Sequence, residues 1–596
     1  MIHLRRLVLA TVLVGLTLAA CLIPAASAQP PKAVLDAEAE RVAVVAKLSP
    51  AVVAVCIYGG QAIGSGVIID PEGFALTNHH VTQPAGAIMQ CGLADGQLYD
   101  AVIVGQDKIG DVALIKLLPK KEGTPFPFVP LGDSDKVKIG DWSLAMGNPF
   151  SIALDFTPTV TYGLVSGTNR YEPMGSQPGI SEYTDCIQVD TSINPGNSGG
   201  PLFNVKGELI GINGRINFEK RRRINSGVGY AISINQIKNF LAHFYAGIDT
   251  DHASLGAVVG TKDETSDLQK MVVKQLLDDS DAARRGLKEG DEILSFAGRK
   301  MTSANQYKNI LGTLPKDWRM PITVRSDNVR RELLVRVQNI TPGEKAPAPG
   351  APMTPQPPAP EPKGPPPSAS PAAKFLKLKP GYVNYYFNEV QRDKLLASAK
   401  KYGDFSTAAP VWNLEGKYDL GERKGDIKIE INEKGADPFV NMQMNILHTL
   451  HPLEAGLNIR AATEPIGSGG LMMALYHYHR FLTMGAKGFE GEFVHAGSEP
   501  FYPYPADGTA PKSLSELRVD AHVIRSKHAS VTCKWYFAKT DGKLLGFETS
   551  VSKETDPCEV FFHDYKDAGG GLMLRTAWKC VTATSATEFS RSTSSL

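Results

Sequence analysis

The 596-residue sequence predicts a mainly β protein built from several domains. The length requires more than one domain, because a single hydrophobic core stops growing at roughly 250–300 residues. Strand-like apolar runs follow one another in the first part of the chain, and most segments after residue 373 alternate like strands. Between these parts, residues 341–373 consist mainly of Pro and Ala, so we expect a semi-rigid linker there.

The first 28 residues have the features of an export signal. Arg5 and Arg6 precede the apolar run Leu7–Ile23, and the Ala-Ser-Ala sequence at Ala26–Ala28 forms a cleavage site. An alternative processing site ends at Cys21, which would then carry a lipid. We expect a protein of the bacterial periplasm or cell envelope without a transmembrane span after signal removal, because no later run is long and apolar enough.

Charge excludes some classes of partner. Lys and Arg number 63 and Asp and Glu 62, for a formal charge of +1, so neither nucleic acid nor an anionic membrane is favoured as the main partner. The basic run Lys220–Arg223 is interpreted as a solvated loop.

The glycine-rich segment Ile193–Pro201 surrounds one serine, Ser198. A serine hydroxyl becomes a nucleophile only beside a base and N–H groups that receive the oxyanion. Gly196, Gly199 and Gly200 allow the backbone angles and close approach that this requires. Taken alone, the segment is equally compatible with a surface turn.

Two upstream segments supply the missing groups. His80 ends the strand-like run that begins at Phe74, and Asp111 heads the apolar run Val112–Leu117. A carboxylate at the start of a buried strand needs a partner such as an imidazole N–H. The order His, Asp, Ser is the one found in chymotrypsin-like double β-barrels.

Six motifs follow one another at Leu48–Val53, Thr77–Val81, Asp111–Ile115, Gly147–Phe150, Ile193–Pro201 and Gly227–Ile232. On these motifs, the stretch from about Ser49 to Ile234 resembles the trypsin-like domain of the HtrA (Deg) proteases. The resemblance implies His80 as general base, Asp111 as its orienting acid and Ser198 as nucleophile, with the N–H groups of Gly196 and Ser198 as the oxyanion hole.

Three neighbouring residues compete for these roles. The resemblance places the base at His80, which precedes Val81, and leaves His79 as a supporting or surface residue. Asp107 and Asp100 are rival acids, but neither heads the apolar run.

The protease domain is expected over residues 33–245. Its first part, Ala33–Lys47, is predicted to be a helix that packs on the protease body, and the resemblance implies a trimer-based homo-oligomer.

The resemblance also locates the substrate pocket. Its base lies six positions before the nucleophile, at Ser192, and its wall at Ser226, Gly227 and Val228. Because Ser192 carries no carboxylate, we expect cleavage after small or medium apolar residues.

Residues 250–340 are predicted to form a second domain. The stretch Ser280–Leu294 resembles the core of a PDZ domain, with a groove helix at Ser303–Leu314 and a closing hairpin at Met320–Val337. The resemblance implies that C-terminal peptides bind by strand addition. The predicted peptide site is Leu255, Gly256 and Ala257.

No cofactor or metal is expected. Three cysteines precede residue 200 and three follow residue 530 after signal removal, which leaves free thiols or one bridge per domain as alternatives. His477 and His479 lie two residues apart in a predicted helix, Leu471–Met484, and so point in different directions.

Residues 374–583 are predicted to be an antiparallel, β-rich α+β domain with a hairpin turning at Asp541–Gly542. Its long hairpins are distantly similar to the half-barrels of periplasmic lipoprotein carriers.

The leading functional hypothesis is an exported, PDZ-regulated serine endopeptidase acting on unfolded or damaged polypeptides. The alternative is a catalytically silent envelope binding protein, whose C-terminal half-barrel captures a lipid or polypeptide.

Overall fold

A computed structural model describes the chain between residues 30 and 591. Within that range it leaves out residues 149–152, 173–182, 195, 215–226, 264, 266, 340–366, 406–410, 420–423, 434–437, 446, 453–469, 504–511, 529, 552–555, 563–564, 568–572, 576 and 583–584. Four features predicted from the sequence therefore lie outside the described residues: the signal, Ser226, the basic run Lys220–Arg223 and most of the Pro-rich linker. None of the described helices is long and apolar enough to cross a membrane.

A helix, α1 (Lys32–Leu48), precedes the first barrel and belongs almost entirely to a separate N-terminal unit of residues 1–47. The first barrel contains β1 (Val52–Ile57), β2 (Ala62–Ile68), β3 (Phe74–Thr77), α2 (His79–Ala85), β4 (Ile88–Gly92), β5 (Leu98–Asp107) and β6 (Val112–Leu117). The strands pair in the order β5-β4-β1-β2-β3-β6, and β6 pairs back with β5 to close the barrel.

The second barrel contains β7 (Trp142–Gly147), β8 (Thr159–Glu172), β9 (Tyr183–Val189), β10 (Pro201–Asn204), β11 (Leu209–Asn213) and β12 (Gly229–Ser233), followed by α3 (Ile234–Tyr245). It is also closed, in the order β10-β11-β12-β9-β8-β7. Small and β-branched side chains fill its core, among them Ala145, Val165, Ile187 and Ala231. The predicted double β-barrel is confirmed.

The next region carries the elements β13 (Asp249–Thr250), β14 (Ala253–Ser254), β15 (Ala257–Asp263), β16 (Asp267–Leu276), α4 (Asp281–Arg284), β17 (Glu292–Phe296), β18 (Arg299–Lys300), α5 (Ala304–Gly312), β19 (Arg319–Ser326), β20 (Val329–Arg336) and β21 (Gln338–Asn339). The main sheet runs β15-β16-β17-β19-β20, so β15 is an edge strand. Ser303 caps α5 by accepting a hydrogen bond from the Gln306 N–H.

The C-terminal region contains α6 (Tyr385–Ala399), β22 (Val411–Asp419), β23 (Lys424–Asn432), β24 (Phe439–Met444), β25 (Leu447–Pro452), α7 (Leu471–Met484), β26 (Glu492–Phe501), β27 (Val519–His528), β28 (Val531–Ala538), β29 (Leu544–Ser550), β30 (Cys558–Phe562), β31 (Tyr565–Asp567), β32 (Met573–Arg575), β33 (Ala577–Thr582) and β34 (Ser585–Arg591). Eleven strands form one sheet, in the order β25-β24-β23-β22-β34-β33-β30-β29-β28-β27-β26. The boundary predicted at residue 583 is wrong, because β34 pairs with β22 and β33 in this sheet.

Helix α7 lies inside a curved sheet. It contacts β24 and also β29 and β30, which stand several places away in the strand order. Strands lie about 4.8 Å apart and a helix is only about 10 Å wide, so the sheet must curl around the helix to make both contacts. Every α7 side chain from Leu471 to His479 is buried, and the apolar ones belong to the hydrophobic core of this region.

The second region and the C-terminal sheet are joined by ion pairs. Arg336 contacts Glu499 at 2.8 Å and Glu548 at 2.7 Å, and Arg319 contacts Glu559. Burial alone would raise the pKa of Glu548, but Arg336 and neighbouring cations hold that pKa below its ordinary value. Removing Arg336 would take one of the two cations from the buried carboxylates of Glu499 and Glu548, which is unfavourable. Residues 48–596 accordingly form one compact unit.

The thiols of four cysteines are free and buried: Cys56, Cys91, Cys186 and Cys533. For these residues the structure agrees with the free-thiol alternative.

Candidate active site

The carboxylate of Asp111 is buried, with 2 % of the residue exposed, and it accepts three hydrogen bonds. Its Oδ1 accepts from the His80 backbone N–H at 2.9 Å. Its Oδ2 accepts from the His80 ring at 2.7 Å and from the Tyr183 hydroxyl at 2.8 Å. These donors replace the water that burial removes. Asp111 has φ 57°, an uncommon backbone conformation for a residue other than glycine.

His80 stands in the first turn of α2, directly after the barrel strand β3. An ionised carboxylate can only accept hydrogen bonds, so the imidazole Nδ1 carries the proton in this pair. The neutral ring then has Nε2 as its free acceptor, which is the state that a general base requires.

The rival residues have other partners. The backbone N–H of His79 bonds to the Asp111 carbonyl at 3.2 Å, and burial lowers the pKa of the His79 side chain. Asp100 accepts from Gln90 on the neighbouring strand β4. Asp107 pairs with His252 at 2.6 Å.

Two contacts bring Ser198 to the entrance of helix α2. The Ser198 carbonyl accepts from the Ser65 N–H at 2.9 Å. The next residue, Gly199, has φ 82° and packs so closely on Thr77 and Asn78 that a side chain there would overlap them. Because Thr77 and Asn78 lead directly into α2, the nucleophile segment lies against the turn that carries His80.

Ser65 also fixes the predicted oxyanion turn. Its hydroxyl donates to the Gly196 carbonyl at 2.6 Å and accepts from the Asn148 N–H at 2.9 Å. Gly196 has φ 103°, which favours glycine. These bonds engage the carbonyls of Gly196 and Ser198, and not the N–H groups that are predicted to bind the oxyanion.

The predicted pocket residues flank the paired strands β9 and β12. Ser192 is exposed, and its carbonyl accepts from the Thr161 hydroxyl at 3.2 Å. Gly227 and Val228 lead into Gly229, which pairs with β9 and packs against the side chain next to Ser192. The base and the described part of the wall are therefore neighbours.

The predicted peptide-binding residues lead into the edge strand β15, which begins at Ala257. Leu255 is 2 % exposed and belongs to the core, so only its backbone can face a peptide. Gly256 has φ 71°, and a side chain there would meet Ser280. The carbonyl of Ala257 accepts from the Tyr307 hydroxyl of helix α5 at 3.2 Å.

The two histidines of α7 are core residues with separate partners. His477 bonds to the Met473 carbonyl at 2.9 Å, and His479 bonds to Glu433 at 3.0 Å. Among the described residues, no cluster of three or more His, Cys, Asp or Glu side chains could hold a metal ion.

Sequence reasoning missed Tyr183 and the hydroxyl of Ser65. Ser65 lies in the glycine-flanked segment Gly64–Gly66, but nothing in that pattern distinguishes a structural hydroxyl from a turn. Tyr183 begins β9 as an ordinary strand aromatic, and only the packing of the two barrels against each other brings its hydroxyl to Asp111.

The comparisons with known proteins agree with this geometry. Residues 64–212 match the trypsin-like peptidase domain. The periplasmic serine endoprotease DegP of Escherichia coli strain K12 is 36 % identical over 300 residues, which cover 47 % of this chain and 60 % of DegP. DegP of Salmonella typhimurium is 38 % identical over 272 residues, covering 43 % of this chain and 54 % of that protein. A solved structure of the HtrA-type protease AlgW with a tripeptide is 31 % identical, covers 51 % of this chain and 98 % of AlgW, and has a TM-score of 0.40.

The double barrel is therefore a trypsin-like peptidase domain. It is of the HtrA type, as the sequence motifs predicted. The chain spans little more than half the length of the curated relatives it matches.

Replacing Tyr183 by Phe tests the third hydrogen bond to Asp111. The ring remains, but the Asp111 carboxylate loses a donor and becomes less firmly oriented toward His80. We expect kcat on a short peptide substrate to fall about tenfold, or roughly 1.4 kcal/mol of transition-state stabilisation, with KM changed less than about twofold. Steady-state kinetics measure both.

Tyr99→Phe is the matched control, because its hydroxyl bonds to the exposed carboxylate of Asp95 elsewhere on the first barrel. It should keep wild-type kinetics. A Tyr183→Phe enzyme within twofold of wild type would show that two donors suffice to hold Asp111.

Proposed function

We propose that this protein is an exported serine endopeptidase of the HtrA type that cleaves unfolded polypeptides through an acyl-enzyme. The single observation that carries the proposal is the buried Asp111–His80 pair, with its Nδ1 proton directed to the carboxylate, beside a glycine-rich turn that presents Ser198. The relatives named periplasmic endoproteases support both the reaction and a location in the cell envelope.

The proposed mechanism uses the three groups in sequence. His80 Nε2 takes the hydroxyl proton as Ser198 Oγ attacks the substrate carbonyl carbon. The developing oxyanion is received by the N–H groups of Gly196 and Ser198. Protonated His80 then gives its proton to the leaving amine, and a water molecule activated by the same ring releases the acid product. Asp111 stays ionised throughout and stabilises the imidazolium.

Substrate choice is assigned to the pocket beside Ser192. Ser192 is uncharged, and the exposed Asp190 is turned to the Leu164 N–H at 2.6 Å. The pocket residues that the structure describes carry no carboxylate to pair with Arg or Lys, so apolar side chains of small or medium size are proposed as the preferred residues before the cut.

The region of residues 250–340 is proposed to bind C-terminal peptides as a PDZ domain. Its edge strand β15 has an unpaired side for strand addition, and Gly256 gives the preceding turn its left-handed backbone.

The trimer-based assembly implied by the sequence resemblance is also proposed. Sedimentation velocity of the intact protein distinguishes one chain from three.

The binding-protein alternative is not favoured. A silent barrel has no need of a buried carboxylate aligned with a histidine beside a serine turn. In the part of the C-terminal region that the structure describes, α7 packs its apolar side chains into the core of the curved sheet.

Ser198→Ala should lower cleavage of an unfolded protein such as casein by several orders of magnitude, on the order of 10⁶ if the triad acts as a unit. The exposed Ser515→Ala variant is the control and should match wild type. Labelling with a fluorophosphonate, followed by mass spectrometry, should place the adduct on Ser198. Turnover by Ser198→Ala equal to wild type would end the serine-protease proposal.

Sequencing the products of the same reaction tests the pocket. We expect cuts mainly after Val, Ala or Leu, because an uncharged pocket stabilises apolar side chains by burial. Cuts that follow mainly Arg or Lys would mean that a carboxylate other than residue 192 lines the pocket.

Calorimetry on the Ser198→Ala protein tests the peptide site without cleavage. An apolar C-terminal peptide should bind, and the same peptide with an amidated terminus should bind at least about tenfold more weakly, since the backbone N–H groups are proposed to hold the carboxylate. Gly256→Val should have the same effect as amidation. Equal affinity for both peptides would exclude carboxylate recognition at this turn.

A further inference from the structure

The turn that precedes Asp111 is wrapped around a second carboxylate, that of Asp107. Asp107 is 1 % exposed, and its Oδ1 accepts from the N–H groups of Ile109 at 3.1 Å and Gly110 at 2.9 Å. A side chain at Gly110 would collide with the Asp107 carboxylate. The backbone that delivers Asp111 in its φ 57° conformation is therefore shaped by Asp107.

The other oxygen of Asp107 is held from outside the barrels. His252 Nε2 lies 2.6 Å from Asp107 Oδ2, and both residues are 1 % exposed. The imidazole stacks on Phe240 of helix α3 at 4.8 Å between ring centroids. An ionised carboxylate only accepts, so the ring N–H donates in this bond.

The backbone around His252 is bonded to the second region. It forms a β-bridge with Pro315, and its neighbours on both sides also bond to this segment: the Asp251 carbonyl accepts from the Lys316 N–H at 3.1 Å, and the Ala253 N–H donates to the Leu314 carbonyl at 3.0 Å. The segment follows directly after helix α5, which ends at Gly312. His252 is thus held from two sides, by the second region and by strand β13, in which Thr250 pairs with Asp107 of β5.

We propose that His252 is a positioning residue for the triad: through Asp107 it holds the turn that presents Asp111 to His80. The proposal rests on the proposed protease function. His252 touches no reacting atom, and its effect passes through two carboxylates and the turn between them. Without the imidazole, Asp107 would be a buried charge lacking one partner, and its bonds to the turn would rearrange. Small displacements of a triad member are costly to the chemical step and leave substrate binding largely unchanged.

Three variants distinguish an effect on the position of the triad from an effect on the stability of the protein. His252→Leu removes the donor and keeps an apolar contact with Phe240. His252→Gln restores an N–H donor at similar reach. Asn239→Ala removes a different bond to the same segment, the one that Asn239 donates to the Thr313 carbonyl at 2.8 Å, without touching Asp107.

Kinetics on a short peptide, with thermal unfolding as a check on folding, should give three results. His252→Leu should lower kcat about tenfold or more with KM within twofold, His252→Gln should recover most of that loss, and Asn239→Ala should stay within twofold of wild type. Hydrogen exchange of the Gly110 amide should be faster in His252→Leu than in Asn239→Ala.

Several outcomes would overturn the proposal. These are wild-type kcat in His252→Leu, an equal loss in Asn239→Ala, and a His252→Gln enzyme as slow as His252→Leu. If His252→Leu does not fold, His252→Gln and His252→Asn replace it, because they place the same amide group at two distances from the backbone. A lower kcat in His252→Asn than in His252→Gln supports positioning, and an equal kcat in the two variants overturns it. Failure of the protease proposal itself looks different, because wild type and Ser198→Ala would then hydrolyse the peptide equally.

Discussion

The candidate site depends on the burial of one charge, the Asp111 carboxylate. A buried carboxylate is tolerated only when donors surround it, and here they come from the His80 backbone, the His80 ring and Tyr183. These donors belong to both barrels, since His80 follows β3 and Tyr183 begins β9. Closing the two barrels against each other is therefore what satisfies the acid and orients the base.

The second region supports the same acid from two directions. His252 reaches the turn before Asp111 through Asp107. Helix α5 packs on β9, where Asn309 accepts from the Asp185 N–H at 2.9 Å, two residues after Tyr183. The second region is therefore part of the scaffold of the candidate active site, because its polar contacts are made to the elements that hold Asp111.

The C-terminal sheet is bonded in turn to the second region. Arg336 and Arg319 of the second region contact its carboxylates Glu499, Glu548 and Glu559, and the Trp318 ring N–H donates to the Ser498 carbonyl at 2.7 Å. Buried ion pairs add little net stability but penalise any arrangement that separates the partners. These contacts thereby restrict how far the second region can shift from the C-terminal sheet.

By itself, the sequence determined the local features: the motifs around His80, Asp111 and Ser198, the helix at Leu471–Met484 and the turn at Asp541–Gly542, because side-chain periodicity and glycine chemistry act within a few residues. Only the tertiary structure decided that Tyr183 and His252 serve the acid, that the sheet curls around α7, and that β34 completes that sheet. The hydrogen bonds of Tyr183 and His252 join residues 72 and 145 positions apart, and no local pattern encodes which distant donor meets a buried carboxylate.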